Sequence, residues 1–163
     1  MLEHVQTPHV RLFIILALTT GARMSAILEL TWSQIDMKRR VIDFNVPSQE
    51  QTNKRRAQVP INDRARAALE EAVRGALTDH VIEWNGQGLS NIKKAIRMAA
   101  KRSGVPCSPH VFRHTAGVWM AEADVPLQKI ARFLGHTSTR VTEKTYARYS
   151  PSFMRDAAAA LDW

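Results

Sequence analysis

The stretch Ser108-Pro109-His110-Val111-Phe112-Arg113-His114-Thr115 carries the start of a helix. Ser108 suits the N-cap, where a side-chain oxygen accepts from a first-turn N–H, and Pro109 suits the first helical position because its missing N–H has no partner there anyway. This helix is expected to run through Ala123. Pro126 then begins another and Gly135 stops it, a further helix reaches Tyr146, and Ser150-Pro151 starts the last, over about residues 151–163. The second half of the chain is therefore expected to be wholly helical.

Working back toward the N-terminus, Thr7-Pro8 reads as an N-cap and first helical residue, and Phe13, Ile14, Ala17 and Leu18 recur at helical spacing up to Gly21. After a bend at Gly21-Ala22-Arg23, Ser25 is expected to cap a short helix that sends Ile27, Leu28 and Leu30 to the core. Ile42, Phe44 and Val46 alternate with Asp43 and Asn45, and a second extended run spans Ala57 to Ile61, which predicts a β-hairpin. Its tip, Gln51 to Arg56, is rich in cations and has no apolar partner. Asn62 is expected to cap a helix with Ala68, Leu69, Ala72 and Val73 on one face. Ser90 is expected to cap another, with Ile92, Ala95, Ile96 and Ala99 inward and an end near Gly104. No repeat, low-complexity tract or Gly/Ser linker interrupts the chain. The prediction is one domain over residues 1–163, mainly α with a small antiparallel β-sheet.

Length and composition set outer bounds. The 163 residues are 45% apolar, enough for a hydrophobic core, and Lys+Arg 23 against Asp+Glu 15 leaves a formal charge of +8. A surface so charged attracts polyanions, although charge alone names no function. Cys107 is the single cysteine, so no internal disulfide forms, and no Cys/His spacing matches a zinc site. The most apolar run, Leu12 to Leu18, is far shorter than the roughly 20 residues of a membrane span. The expectation is a cytoplasmic protein with no membrane partner. No Gly-rich phosphate loop and no acidic pair suited to two metal ions is present, so no cofactor and no metal are expected.

His110 and Arg113 lie three apart at a helix start, on one face beside the free N–H groups of that terminus, a corner able to hold a phosphate. An ordinary surface His/Arg pair has the same spacing. Arg23 at its turn, His136 after the helix-ending Gly135, and Tyr146 ten positions further complete a set, yet each has a purely structural reading: an ion pair, a helix cap, a buried aromatic.

Taken together, Thr20-Gly21-Ala22-Arg23, His110-Val111-Phe112-Arg113-His114-Thr115, Leu134-Gly135-His136 and Thr145-Tyr146 occur in the order found in tyrosine recombinases of the phage integrase family, and the chain resembles their catalytic domain from about Thr7 to about Pro151. The resemblance implies the integrase catalytic-domain fold and a site-specific recombinase that cleaves and rejoins double-stranded DNA through a 3′-phosphotyrosine, without metal or ATP. It implies Tyr146 as nucleophile, Arg23 and Arg113 as the phosphate-binding pair, His110 as an aid to proton transfer at the tyrosine, and His136 as a hydrogen-bond donor to phosphate. Both histidines are expected to titrate near working pH. The general acid for the leaving 5′ oxygen is assigned in the family to a hairpin-tip lysine, here Lys54, with Arg55 and Arg56 as DNA-backbone clamps.

Departures from the family pattern leave alternatives open. Aligning the tip from Pro60 puts Thr52 where the lysine often falls. Ala26 stands where many members have glutamate, and the extra residue between His136 and Tyr146 admits Tyr149 as a rival nucleophile. The family's usual N-terminal DNA-binding domain is expected to be absent from this chain. The resemblance further implies a homotetramer on paired DNA sites that passes through a Holliday junction, with residues 150–163 packed in cis or exchanged with a neighbour. Two other readings remain: a type IB topoisomerase-like enzyme, and a catalytically inactive DNA-binding module of the same fold.

Overall fold

The computed structural model describes residues 2–45, 57–152 and 154–161. At its centre lies α1 (Pro8–Thr20), on which Phe13 and Leu16 are fully buried and Val10, Leu12, Ile14, Ile15 and Ala17 nearly so. A helix apolar on nearly every side must be covered on nearly every side. It packs against α3 (Asp63–Val73) and α5 (Pro109–Glu122). Pro8 occupies the first turn as expected, and Gly21 ends α1 with φ +59°, where an added Cβ would lie 2.5 Å from the Leu134 side chain. Both the left-handed backbone and the close approach require glycine there.

The short α2 (Met24–Leu28) begins two residues earlier than a Ser25 cap would allow: Arg23 holds the N-cap position and supplies no side-chain cap. The polar groups of the bend are satisfied by Thr20 instead, whose hydroxyl donates to Leu16 O (2.6 Å) and accepts from Ala22 N (3.2 Å). The expected hairpin is present as β2 (Val41–Asp43) antiparallel to β3 (Gln58–Pro60), with Ile42 opposite Val59, both buried. A strand that the alternation pattern did not reveal, β1 (Ile35–Asp36), pairs on the other edge of β2. A second hairpin, β4 (Glu83–Trp84) with β5 (Gln87–Gly88), turns on Asn85 and Gly86, both at positive φ. Asn-Gly is the pair such a turn requires. Lys54, Arg55 and Arg56, with the rest of the hairpin tip, lie outside the described residues.

Asn62 caps α3 as expected, accepting from Ala65 N at 2.9 Å, though Val73 is half exposed rather than inward. Ser90 is not the cap of α4 (Lys93–Ser103): Asn91 Oδ1 accepts from Lys93 N, and Ile92, 2% exposed, takes the N-cap position because its burial fixes where the helix begins. In the helical half, Ser108 caps α5, and α6 (Leu127–Leu134) starts after Pro126 and stops at Gly135. There His136 N bonds Ala131 O and Gly135 N bonds Arg132 O, the paired closure of a left-handed helix end. The chain continues through α7 (Thr139–Tyr146) and a 3-10 turn, Ala147–Tyr149. The last helix, α8 (Arg155–Ala159), does not start at Ser150-Pro151. Asp124, at the α5–α6 turn, accepts from Ser150 Oγ (2.6 Å), Ser152 N (3.1 Å) and Ser152 Oγ (2.8 Å), which holds that segment in a turn.

Candidate active site

Two apolar clusters form the interior, one around α1 and a smaller one of Ala121, Ile130, Leu134 and Tyr146, and Arg113 links them. It projects from α5 and is 7% exposed. Nη1 donates to Gly21 O and Nη2 to Leu134 O, each at 2.7 Å. These two bonds use only part of the five-donor guanidinium fork. Burial, then the charge of Arg23, pushes the Arg113 pKa down to about 10, while Tyr146 acts the other way. Even so the group is cationic at neutral pH. Burial also lowers Arg23 from its ordinary value.

Arg23, His110 and Arg113 line one open cleft of about 750 Å³, so these three residues are brought together as expected. A second set of cations was not expected there. Lys93, Lys94 and Arg97 of α4 line the same cleft. Their signal was present as three cations in five residues, but a charge run on a helix whose other face carries Ile92 and Ile96 reads equally as a solvated face.

His136 follows the α6 closure, and its Nδ1 lies 2.8 Å from Thr142 Oγ1. Its pKa does not sit near working pH: burial, then Arg113 and Arg23, push it down to about 4. A cation placed beside two guanidinium groups in a half-buried site is disfavoured twice over, so the imidazole is neutral. Tyr146, at the end of α7, is 5% exposed. Burial raises its pKa and Arg113 opposes that rise, so the phenol is protonated at rest but close enough to the guanidinium to feel its charge.

The tyrosine ring rests on α5. Gly117 lies one turn beyond Arg113, and a Cβ there would stand 2.6 Å from Tyr146 Cε1 and 2.8 Å from its hydroxyl oxygen. The His114 ring stacks at 5.4 Å from the Tyr146 ring, tilted by 31°, and meets Tyr149 edge-on at 6.4 Å. Tyr149 is 36% exposed, with the Arg148 guanidinium 5.9 Å from its ring centre. Gly117 and Thr142 escaped sequence reading. The one faint sign was a glycine inside a helix, which costs about 1 kcal/mol relative to alanine and so calls for a reason.

Chemically, the arrangement offers two guanidinium groups able to hold a tetrahedral oxyanion, a neutral imidazole with one nitrogen already engaged, and a phenol beside a cation. Among the described residues no group of three or more His, Cys, Asp or Glu is placed to hold a metal, and no helix is long and apolar enough to cross a membrane.

Known proteins share both the sequence pattern and the fold. The chain is 29% identical over 160 residues to the integrase of Salmonella phage P22, covering 90% of this chain and 41% of that one. It spans less than half the length of that relative and of an integrase from Streptomyces ambofaciens, of which 47% is covered. The catalytic domain of bacteriophage HP1 integrase superposes with a TM-score of 0.70 at 22% identity, over 99% of this chain and 88% of that one. The Tn1549 transposon integrase in complex with circular intermediate DNA superposes with a TM-score of 0.81 at 19% identity, over 98% of this chain and 63% of that one. The fold is thus the tyrosine recombinase catalytic-domain fold, and with residues 1–152 matching the phage integrase family, the chain belongs to that family.

Proposed function

We propose that this chain is the catalytic domain of a site-specific DNA recombinase in which Tyr146 attacks the scissile phosphate. The phenolic oxygen forms a bond to phosphorus, the bond from phosphorus to the 5′ oxygen breaks, and a 3′-phosphotyrosine and a free 5′-hydroxyl result. Reversal by a 5′-hydroxyl of another strand rejoins the DNA, so bond energy is conserved and neither metal nor ATP is consumed. Arg23 and Arg113 bind the non-bridging oxygens as charge gathers on them. His136 donates a hydrogen bond from Nε2, and His110, exposed on the same cleft, assists removal of the phenolic proton. Lys54 is proposed as the acid for the leaving oxygen, with Arg55 and Arg56 on the DNA backbone. Lys93, Lys94 and Arg97 extend that phosphate-binding surface along the cleft.

The observation that carries this reading is the convergence on one guanidinium: Arg113 acts electrostatically on His136 and Tyr146, feels Arg23, and lies one turn from the glycine under the tyrosine ring. Tyr146 is favoured over Tyr149 because the former is seated in this cluster and the latter faces outward beside Arg148. The working unit on double-stranded DNA is proposed as a homotetramer acting in the cytoplasm.

The test is a nicked duplex whose 5′ fragment diffuses away after cleavage, followed by denaturing electrophoresis and peptide mapping. A covalent adduct on Tyr146 is expected. An adduct on Tyr149 moves the nucleophile, and none despite DNA binding leaves a silent DNA-binding module. Relaxation of supercoils without strand exchange would point to topoisomerase chemistry.

A further inference from the structure

Thr142 has a hydrogen bond unlike those of Thr19, Thr20 and Thr115. Thr19, Thr20 and Thr115 each return their hydroxyl proton to the carbonyl four residues back, at 2.7, 2.6 and 2.9 Å. Such back-bonding is the usual fate of a threonine inside a helix. Thr142 Oγ1 instead has His136 Nδ1 as its partner among the described residues, at 2.8 Å, and the residue is fully buried.

That contact has two possible proton arrangements with opposite consequences. If Nδ1–H donates, the hydroxyl proton of Thr142 has no acceptor in a site closed to water, and Nε2 presents a lone pair outward. If the hydroxyl donates, both groups are satisfied and Nε2 carries the proton. A buried donor without an acceptor is the costlier choice.

We propose that Thr142 is a positioning residue whose hydroxyl donates to His136 Nδ1 and so fixes the imidazole as the Nε2–H tautomer, turned toward the bound phosphate. This deepens the recombinase reading above and rests on it. An Nε2 lone pair would repel a phosphate oxygen, whereas Nε2–H donates to it. Thr142 also stands four residues before Tyr146 on α7, so a single helix carries the proposed nucleophile and the tether of the phosphate-binding ring. Displacement of α7 therefore moves both together. The ring belongs to the loop after Gly135 rather than to a helix, which gives the tether a clear task.

The experiment uses the whole chain labelled with 15N-histidine, with long-range proton–nitrogen spectra reporting which ring nitrogen of His136 is protonated. Wild type is expected to show Nε2–H. Thr142→Val keeps the branched shape and removes the hydroxyl. It is expected to lose the uniform tautomer and to slow single-turnover cleavage of the nicked substrate by roughly 10–100-fold, as loss of an outer orienting partner commonly does. DNA affinity should not change. Thr142→Ser, which restores the hydroxyl, should recover both the tautomer and most of the rate. Wild-type His136 protonated on Nδ1 overturns the proposal even if the valine variant does not fold, and so does a folded valine variant with wild-type tautomer and rate. Absence of any covalent adduct in wild type sinks the recombinase reading separately, while the tautomer spectrum still decides the Thr142 contact.

Discussion

Gly117→Ala is expected to slow strand cleavage on the order of 10²-fold while costing the fold at most about 2 kcal/mol. The new methyl would stand 2.6 Å from Tyr146 Cε1 and 2.8 Å from the hydroxyl oxygen. Carbon atoms in contact prefer about 3.5–4.0 Å, so the ring or α7 must yield by roughly 1 Å. Forcing a methyl into a packed core costs about 1–3 kcal/mol. Against this, alanine inside a helix is favoured over glycine by about 1 kcal/mol. The two nearly offset, leaving a net loss between nothing and about 2 kcal/mol, estimated from the same ranges. Catalysis is far less tolerant: moving a reacting atom by about 1 Å costs on the order of 10²-fold in rate. Single-turnover adduct formation on the nicked substrate, thermal unfolding and DNA binding measured together separate these effects. A variant that cleaves at the wild-type rate would refute the claim that Gly117 seats the Tyr146 ring.

Tyr146→Phe should abolish the adduct and leave DNA affinity nearly unchanged, since one hydroxyl adds little to phosphate binding; a sharp loss of affinity in a binding titration counts against the nucleophile role. Arg113→Lys keeps a charge but cannot span both carbonyls, and should lower the melting temperature, because each stranded buried acceptor costs about 1–3 kcal/mol. The same change should slow cleavage by about 10²–10³-fold; an unaltered melting temperature would show that the two 2.7 Å bonds do not brace the fold. His136, lowered from the ordinary 6.5 to about 4, should remain neutral by NMR titration until the pH nears 4. Because its folded value lies below its unfolded one, the stability this group contributes is complete above pH 6.5 and is lost as pH falls toward 4. Titration of His136 at the ordinary value would overturn that assignment.

What was legible in the sequence follows the range of the forces involved. Ser108-Pro109, Asn62 and Gly135 mark real helix ends because capping is settled within a turn of chain. Ser90 misled because the burial of Ile92, a tertiary effect, set the start of α4. Ser150-Pro151 misled because Asp124, 26 positions away, takes the Ser150 hydroxyl that a cap would need. The Asn85-Gly86 turn, by contrast, is a local signal, with both residues at positive φ. In the site, family resemblance named Arg23, His110, Arg113, His136 and Tyr146, and the fold gathers them. It could not name Gly117, whose contribution is an absent Cβ, or Thr142, whose hydroxyl faces a loop histidine rather than its own helix.

The support of Arg113 explains how a buried cation stays useful. A buried guanidinium ordinarily requires a carboxylate, and a carboxylate would cancel the charge that the proposed phosphate contact needs. Here, among the described residues, the partners are two backbone carbonyls. Leu134 is the last residue of α6 and Gly21 the cap of α1, so both carbonyls belong to helix C-termini. Such ends carry unsatisfied acceptors and the negative pole of the helix dipole, which compensates a cation in part without adding a full opposing charge. Among the described residues, Arg113 lines the cleft with donors to spare and its charge not cancelled by a carboxylate. That same charge adds to the burial that keeps His136 neutral, and it opposes the burial-driven rise in the Tyr146 pKa. One side chain thus joins the two apolar clusters and acts, second to burial, on the protonation of its neighbours. This is why its removal should damage fold and chemistry together, whereas changes at Gly117 and Thr142 should act mainly on the chemistry.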